Sequence, residues 1–257
     1  MTEEKPEDTL RARARASRQF RNAASPNPGL LLSGDFAPDF GSREMPTGHF
    51  SWEGKDVLSR VRDQGRTNLC TSFSIVAAME AQHRISTGSD IALAPAFIHN
   101  CLADEWDTQI GLNAKFAADA CRNDGVAVAD NDQIPVPDGF CTASHDRMKV
   151  RETDWVDSVS TAFSHLKDHG PIVVEMGITK EGPFFDWPGG NVFDRQPDPD
   201  NELAHCLCLV GLDFRNADAI ATVQNSFGED WGDHGFARIR VGTGGLLTHY
   251  WSVSLTV

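Results

Sequence analysis

The sequence predicts an α+β protein of two lobes, and two observations carry that reading. Up to about residue 150 the apolar residues recur at helical spacing, whereas from 171 onward they fall into short Val-, Ile- and Leu-rich runs separated by Gly, Asp and Pro. At 257 residues the chain is long enough to bury a sizeable core.

Taken in order, residues 1–44 are polar and charged, broken by "ASPNPG" at 24–29, and read as an arm or short leader. The rest, 45–257, starts its compact part near "HFSW" at 49–52, with a helical lobe over about 60–150 and a β-rich lobe over about 151–257. A helix over about Cys70–Ser86 follows from Phe73, Val76, Ala77, Met79 and Ala81, with Gly88 as its stop. "ALAPAFIHNCLA" and "NAKFAADACRNDG" (113–125) read as two further helices, the second ended by Asn123–Gly125. The runs "PIVVEMGI", "HCLCLVGLDF", "AIATVQNSF" and "GFARIRV" have antiparallel strand texture. Between the first two, residues 179–204 read as a long loop of the kind that lines sites.

Charge and cysteine usage narrow the function classes. The net charge of −14 disfavours nucleic acid and anionic membrane as partners, and no apolar run approaches the roughly 18 residues a membrane span needs. Residues 1–44 carry equal acids and bases, so the whole excess falls on 45–257. The cluster Arg11, Arg13, Arg15, Arg18 and Arg21 reads as a solvated arm. The first residues lack the apolar core of a secretory signal, so a cytoplasmic setting is expected. Six cysteines form no CxxC pair, which argues against structural zinc, and nothing calls for a cofactor. In "HCLC" (205–208) a strand would place the two thiols on one face and the His on the other.

The chemistry starts at Cys70, which follows the turn "DQGRTNL" and opens a helix. Unpaired backbone N–H groups and the helix dipole favour negative charge there, lowering a thiol pKa and producing the nucleophilic thiolate. Alone, such a cysteine is more often a small buried hydrophobe. A nucleophilic one needs an imidazole partner and a third group to orient it. His205 opens a strand run, Asn225 follows another in "VQNSFGEDWGDHGFARI", and Gln64 precedes the helix, where its amide could join an oxyanion hole.

These segments resemble the papain-like cysteine peptidases, the cathepsin group. "VRDQGRTNLCTSFSIVAAMEA", "LAHCLCLVGLD" and "VQNSFGEDWGDHGFARIRVG" carry the resemblance, with "HFSWEGKDVLSRV" as a start and with the Cys…His…Asn order met. It implies a papain-like two-lobed fold, helical on the left and antiparallel, β-barrel-like on the right, with the site in the cleft between. It also implies that Cys70 is the nucleophile, His205 its imidazolium partner, Asn225 the group orienting His205, and Gln64 the oxyanion donor. Trp231 would cover the His205–Asn225 pair. Gly111 would lie beside the substrate backbone, although a plain turn serves it equally. Glu175 and Cys206 would stand in the wall of the main specificity pocket. A carboxylate at 175 would select a basic or amine-bearing group, or else is a solvent-facing strand residue.

The departures are local. Thr67 replaces a half-cystine of the family, Thr108 its partner, Phe227 a Trp, and Leu69 and Thr71 the flanks of the nucleophile. Cys101 and Cys141 match a remaining family pair, expected as free thiols in a reducing cytosol. The expected activity is thiol acyl transfer, hydrolysing a peptide or amide with narrow specificity. The alternatives are the same acyl-enzyme passed to an amine, or an inactive binding module. Oligomeric state is left open.

Overall fold

The computed structural model describes residues 46–215, 218–247 and 252–257; the expected arm at 1–44 lies outside the described residues. Strand β1 (His49–Ser51) comes first. Then come α1 (Cys70–Thr87), α2 (Pro95–Phe97) running into a π turn at Ile98–Leu102, and α3 (Ala114–Asp124). A ribbon of β2 (Val126–Ala127) and β3 (Arg147–Met148) closes the helical half. The second half runs β4 (Glu152–Val156), α4 (Val159–Asp168), β5 (Ile172–Thr179), β6 (Val192–Phe193), β7 (Glu202–Asp213), β8 (Ile220–Gln224), β9 (Phe236–Arg240) and β10 (Ser252–Thr256).

Helix α1 is the spine. Every residue from Cys70 to Gln82 is buried, so the helix is enclosed all round rather than resting on one face. Gly88 ends it in the left-handed conformation at φ 71°, its N–H bonding the Arg84 carbonyl, a geometry in which a side chain is strained. Two of the polar side chains this burial traps tie the helix to other segments. Gln82 donates from Nε2 to the carbonyls of Pro171 (2.8 Å) and Leu255 (2.7 Å). Glu80 accepts two hydrogen bonds from the Arg62 guanidinium at 2.7 and 2.8 Å, and a third from the Leu93 N–H. Helix α3 is capped by Asn113, which accepts from the N–H groups of Lys115 and Phe116.

The strands run in the order β4-β10-β5-β7-β8-β9-β6, with β1 paired to β7 off that path. All these pairings are antiparallel except β6 with β9. Alternation along β7 separates two cores. Cys206, Cys208 and Val210 pack with α1 and α3, while Leu207, Leu209 and Leu212 pack within the β-rich half against α4. The N-terminal β1 sits on the β-rich side, with His49 opposite Asp213, so the chain starts in one half, builds the other and returns.

Three departures from the sequence reading stand out. Helix α4 is an additional element in the β-rich half, capped by Ser158, whose hydroxyl accepts from the Thr161 N–H. The 179–204 loop contains β6 and the first residues of β7, and it buries Phe184. The expectation of free thiols at Cys101 and Cys141 is corrected: they are bridged. The reason is geometric. The π turn and the segment around Phe140 pack on the same Leu69–Phe73–Val136 cluster, bringing the two Cα atoms to 5.2 Å, within disulfide span.

Candidate active site

The backbone, not the side chains, first brings the site together. Residues 62–64 run against 226–228: Gln64 N–H donates to the Ser226 carbonyl at 2.9 Å, Gly228 N–H to the Arg62 carbonyl at 3.1 Å, and Asp63 bridges Phe227. This lattice joins the turn before α1 to the turn after β8. Gly65 takes φ 61° within the first turn, which lets the chain double back into Cys70.

Cys70 is the first residue of α1, and the preceding Leu69 offers no side-chain cap. The N–H groups of that first turn therefore face outward from the helix end beside the thiol, and the dipole favours its ionised form. The thiol is held well below its ordinary value, first by a hydrogen bond from Cys206, then by the hydrogen bond and charge of His205; burial opposes both. The His205 ring, from β7, donates Nε2–H to Asn225 Oδ1 at 2.9 Å, because an amide oxygen only accepts. That fixes the tautomer and leaves Nδ1 for Cys70. Asn225 Oδ1 is held in turn by the Ser226 N–H at 2.8 Å. All four of Cys70, His205, Asn225 and Gln64 are brought together and buried.

Gln64 is anchored at both ends of its amide. Its oxygen accepts from Ser226 Oγ at 2.6 Å and its nitrogen donates to the Thr67 carbonyl at 2.5 Å, which leaves one further N–H on the amide. Thr67 itself bonds back to the Gln64 carbonyl, and Asn68 ties this turn to the next loop through Thr108 and Gln109. Where the family pattern has a disulfide, this chain has hydrogen bonds.

The rings against His205 are those of Phe227, at 4.9 Å between centroids, and Phe184, at 5.6 Å. Trp231 packs on both of them, at 5.9 and 5.0 Å, and its indole N–H bonds the Phe184 carbonyl. Thus Phe227 and Phe184 contact the His205 ring and Trp231 backs them. Sequence reasoning missed Phe184, which lies in the 179–204 loop; its only signal was an apolar pair, Phe184–Phe185, in polar surroundings.

The pocket residues fall into two groups. Gly111 lies on the loop docked against Asn68, and Cβ atoms there would meet nothing tighter than ordinary contact, so crowding does not demand glycine. Glu175, half-buried on β5, sits opposite Cys206 in register, and the Cys206 sulfur lies 3.6 Å from its Oε1. It does not face solvent freely: burial and the nearby Cys70 charge push its carboxyl up to about 7. Among the described residues no group of three or more His, Cys, Asp or Glu is placed to hold a metal ion, and no helix is long and apolar enough to cross a membrane.

Comparison with known proteins places this geometry in context. The pattern described as "Papain family cysteine protease" matches residues 46–252. A cathepsin L-like proteinase of Phaedon cochleariae is 25% identical over 191 residues, covering 73% of this chain and 58% of that protein. The thiol protease SEN102 of Hemerocallis is 26% identical over 203 residues, 77% of this chain and 55% of that one. The chain thus spans little more than half the length of these curated relatives. The crystal structure of the Carica candamarcensis cysteine protease CMS1MS2 in complex with E-64 superposes with a TM-score of 0.68 at 22% identity, covering 82% of this chain and 99% of that one.

Proposed function

This chain belongs to the papain family of cysteine proteases, and from that premise we propose that it hydrolyses peptide or amide bonds through an acyl-enzyme on Cys70. One observation carries the reading: a thiol depressed well below its ordinary value beside a His205 whose tautomer is fixed by Asn225 at 2.9 Å. The Cys70 thiolate attacks the carbonyl carbon. The oxyanion is met by the Cys70 backbone N–H and the remaining amide N–H of Gln64. Protonated His205 gives its proton to the leaving amine, and water, activated by the neutral ring, releases the acyl group. The aromatic cover of Phe227 and Phe184 keeps water from the His205–Asn225 bond.

Narrow specificity is part of this proposal, and Glu175 is its source. A half-buried carboxylate next to the nucleophile attracts a basic or amine-bearing substituent when ionised and rejects an acidic one. Transfer of the acyl group to an amine uses the same intermediate and is read in the same experiment. A cytoplasmic setting, expected from the charged N-terminal stretch, is tested by the Cys101–Cys141 bridge, because such bonds persist in oxidising compartments. Thiol trapping in intact cells decides: a free pair supports the cytoplasm, and a bridged pair places the protein elsewhere.

The test compares wild type with Cys70→Ala on a diverse peptide mixture with added amines, reading products by mass spectrometry. Cys70-dependent cleavage is expected, and new amides would indicate transfer. Identical product profiles for the two proteins would overturn the catalytic reading. Alkylation of Cys70 against pH gives an independent check, with reaction expected well below the ordinary thiol value of about 8.5.

A further inference from the structure

A second thiol stands at the site: Cys206 follows His205 on β7 and packs in the same core as Cys70. The Cys206 sulfur bears on the Cys70 thiol and helps to hold it down. The same sulfur lies 3.2 Å from the hydroxyl of Thr71, the residue next to Cys70, and 3.6 Å from Glu175 Oε1. Cys206, the residue after His205, thus lies against Thr71, the residue after Cys70, with Glu175 on its other side. The other free thiols, Cys121 and Cys208, lie deeper in the same core at 0% and 1% exposure, and burial pushes both thiols up, away from reactivity.

We propose that Cys70 and Cys206 form a reversible redox pair, in which a peroxide oxidises Cys70 and Cys206 resolves the product to a disulfide. The inference rests on the reading of Cys70 as the reactive thiolate. In the first step the Cys70 thiolate attacks one oxygen of hydrogen peroxide. An S–O bond forms, the O–O bond breaks, and hydroxide departs, leaving Cys70 as a sulfenic acid with its sulfur oxidised by two electrons. In the second step the Cys206 thiol passes its proton to Glu175 and its sulfur attacks the Cys70 sulfur. The S–S bond forms and the S–O bond breaks, and the departing hydroxide takes the proton from Glu175 and leaves as water.

The structure gives the order of events a physical cause. In the reduced site the Cys206 thiol is pushed well up, above all by its hydrogen bond to Cys70, then by burial and by the Glu175 charge. Cys206 therefore stays protonated and does not compete as a nucleophile while Cys70 is a thiolate. A neutral sulfenic acid at Cys70 removes the largest of these restraints, and Glu175 is in place to take the proton released. Bridging stops the oxidation ladder at its reversible rung, before the sulfinic acid.

The experiment exposes purified protein to excess hydrogen peroxide, quenches in acid, and maps cysteine peptides by mass spectrometry. Activity is followed before and after dithiothreitol and normalised to each protein's own starting rate. Wild type is expected to lose activity, to yield a peptide pair joining Cys70 to Cys206, and to recover most activity on reduction. Cys206→Ala and Cys206→Ser should accumulate sulfinic acid at Cys70 and recover at least about five-fold less. Cys101 and Cys141 are scored by their own bridged peptide. Wild type showing sulfinic acid at Cys70 with Cys206 still a free thiol, or recovery equal to that of the Cys206 variants, would overturn the pair. Loss of the nucleophile reading itself looks different: Cys70→Ala would then retain hydrolysis.

Discussion

Glu175 shows what a single position can impose. Its carboxyl is pushed up to about 7 by burial and by the Cys70 charge, so it is neutral below that pH and ionised above it. Preference for a basic over a matched neutral substrate, measured as the ratio of kcat/KM, should therefore rise as pH increases through 7 and level off above. In Glu175→Gln the ratio should be flat with pH and lower at pH 8 by roughly ten-fold, the worth of one partly screened charge pair of about 1.4 kcal/mol. A wild-type ratio independent of pH would remove Glu175 from substrate selection. At this scale the sequence is legible where chemistry demands a residue type. Cys70, His205, Asn225 and Gln64 are distinguished by what a thiolate, its base and an oxyanion need. The ring covering His205 is not legible in the same way, because Phe227, Phe184 and Trp231 all offer an aromatic face and only their packing separates them.

Helix α1 depends on an ion pair that burial makes costly to disturb. Arg62 and Glu80 are both at 6% exposure, joined by two hydrogen bonds, with Asp132 as a second partner of the guanidinium. Removing only the carboxylate, in Glu80→Ala, strands the guanidinium and the Leu93 N–H. The expected loss is about 3–5 kcal/mol by urea denaturation. A loss below about 1 kcal/mol would mean that water or Asp132 compensates. Elements such as α1 were readable because a local cue marks each end, a polar turn before Cys70 and Gly88 after Thr87. The shorter ones were not. Helix α4 has only ten residues between strand-like runs, though Ser158, Val159, Ala162 and Leu166 carry its cap and buried face. Strand β10 owes its state to β4 and β5, whose pairing residues lie some eighty or more positions earlier in the chain.

For the whole molecule, the Cys101–Cys141 bridge is the covalent constraint on the helical half, closing 40 residues that include α3, β2 and the Phe140 segment. Its removal in a Cys101→Ala, Cys141→Ala variant should lower stability by about 2–4 kcal/mol while leaving the Cys70–His205 pair, carried by α1 and β7, in place. Denaturation midpoints with and without reductant measure the first part, and the pH profile of Cys70 alkylation measures the second. The bridge was misjudged from sequence because compartment, not spacing, governed the expectation, whereas the π turn at Ile98–Leu102 sets the distance.

The return of the chain to its starting half also orders the protein in time. Strand β1 cannot find β7 until residue 213 has been synthesised, and the turn carrying Gln64 has no partner until Ser226 exists. Contacts of such separation form slowly, after local helices. On the ribosome the α1 thiol would thus emerge well before Cys206, His205 and Asn225 arrive to ionise and direct it. The earliest stretch is chemically incomplete, and the site is assembled only as the last third of the chain emerges.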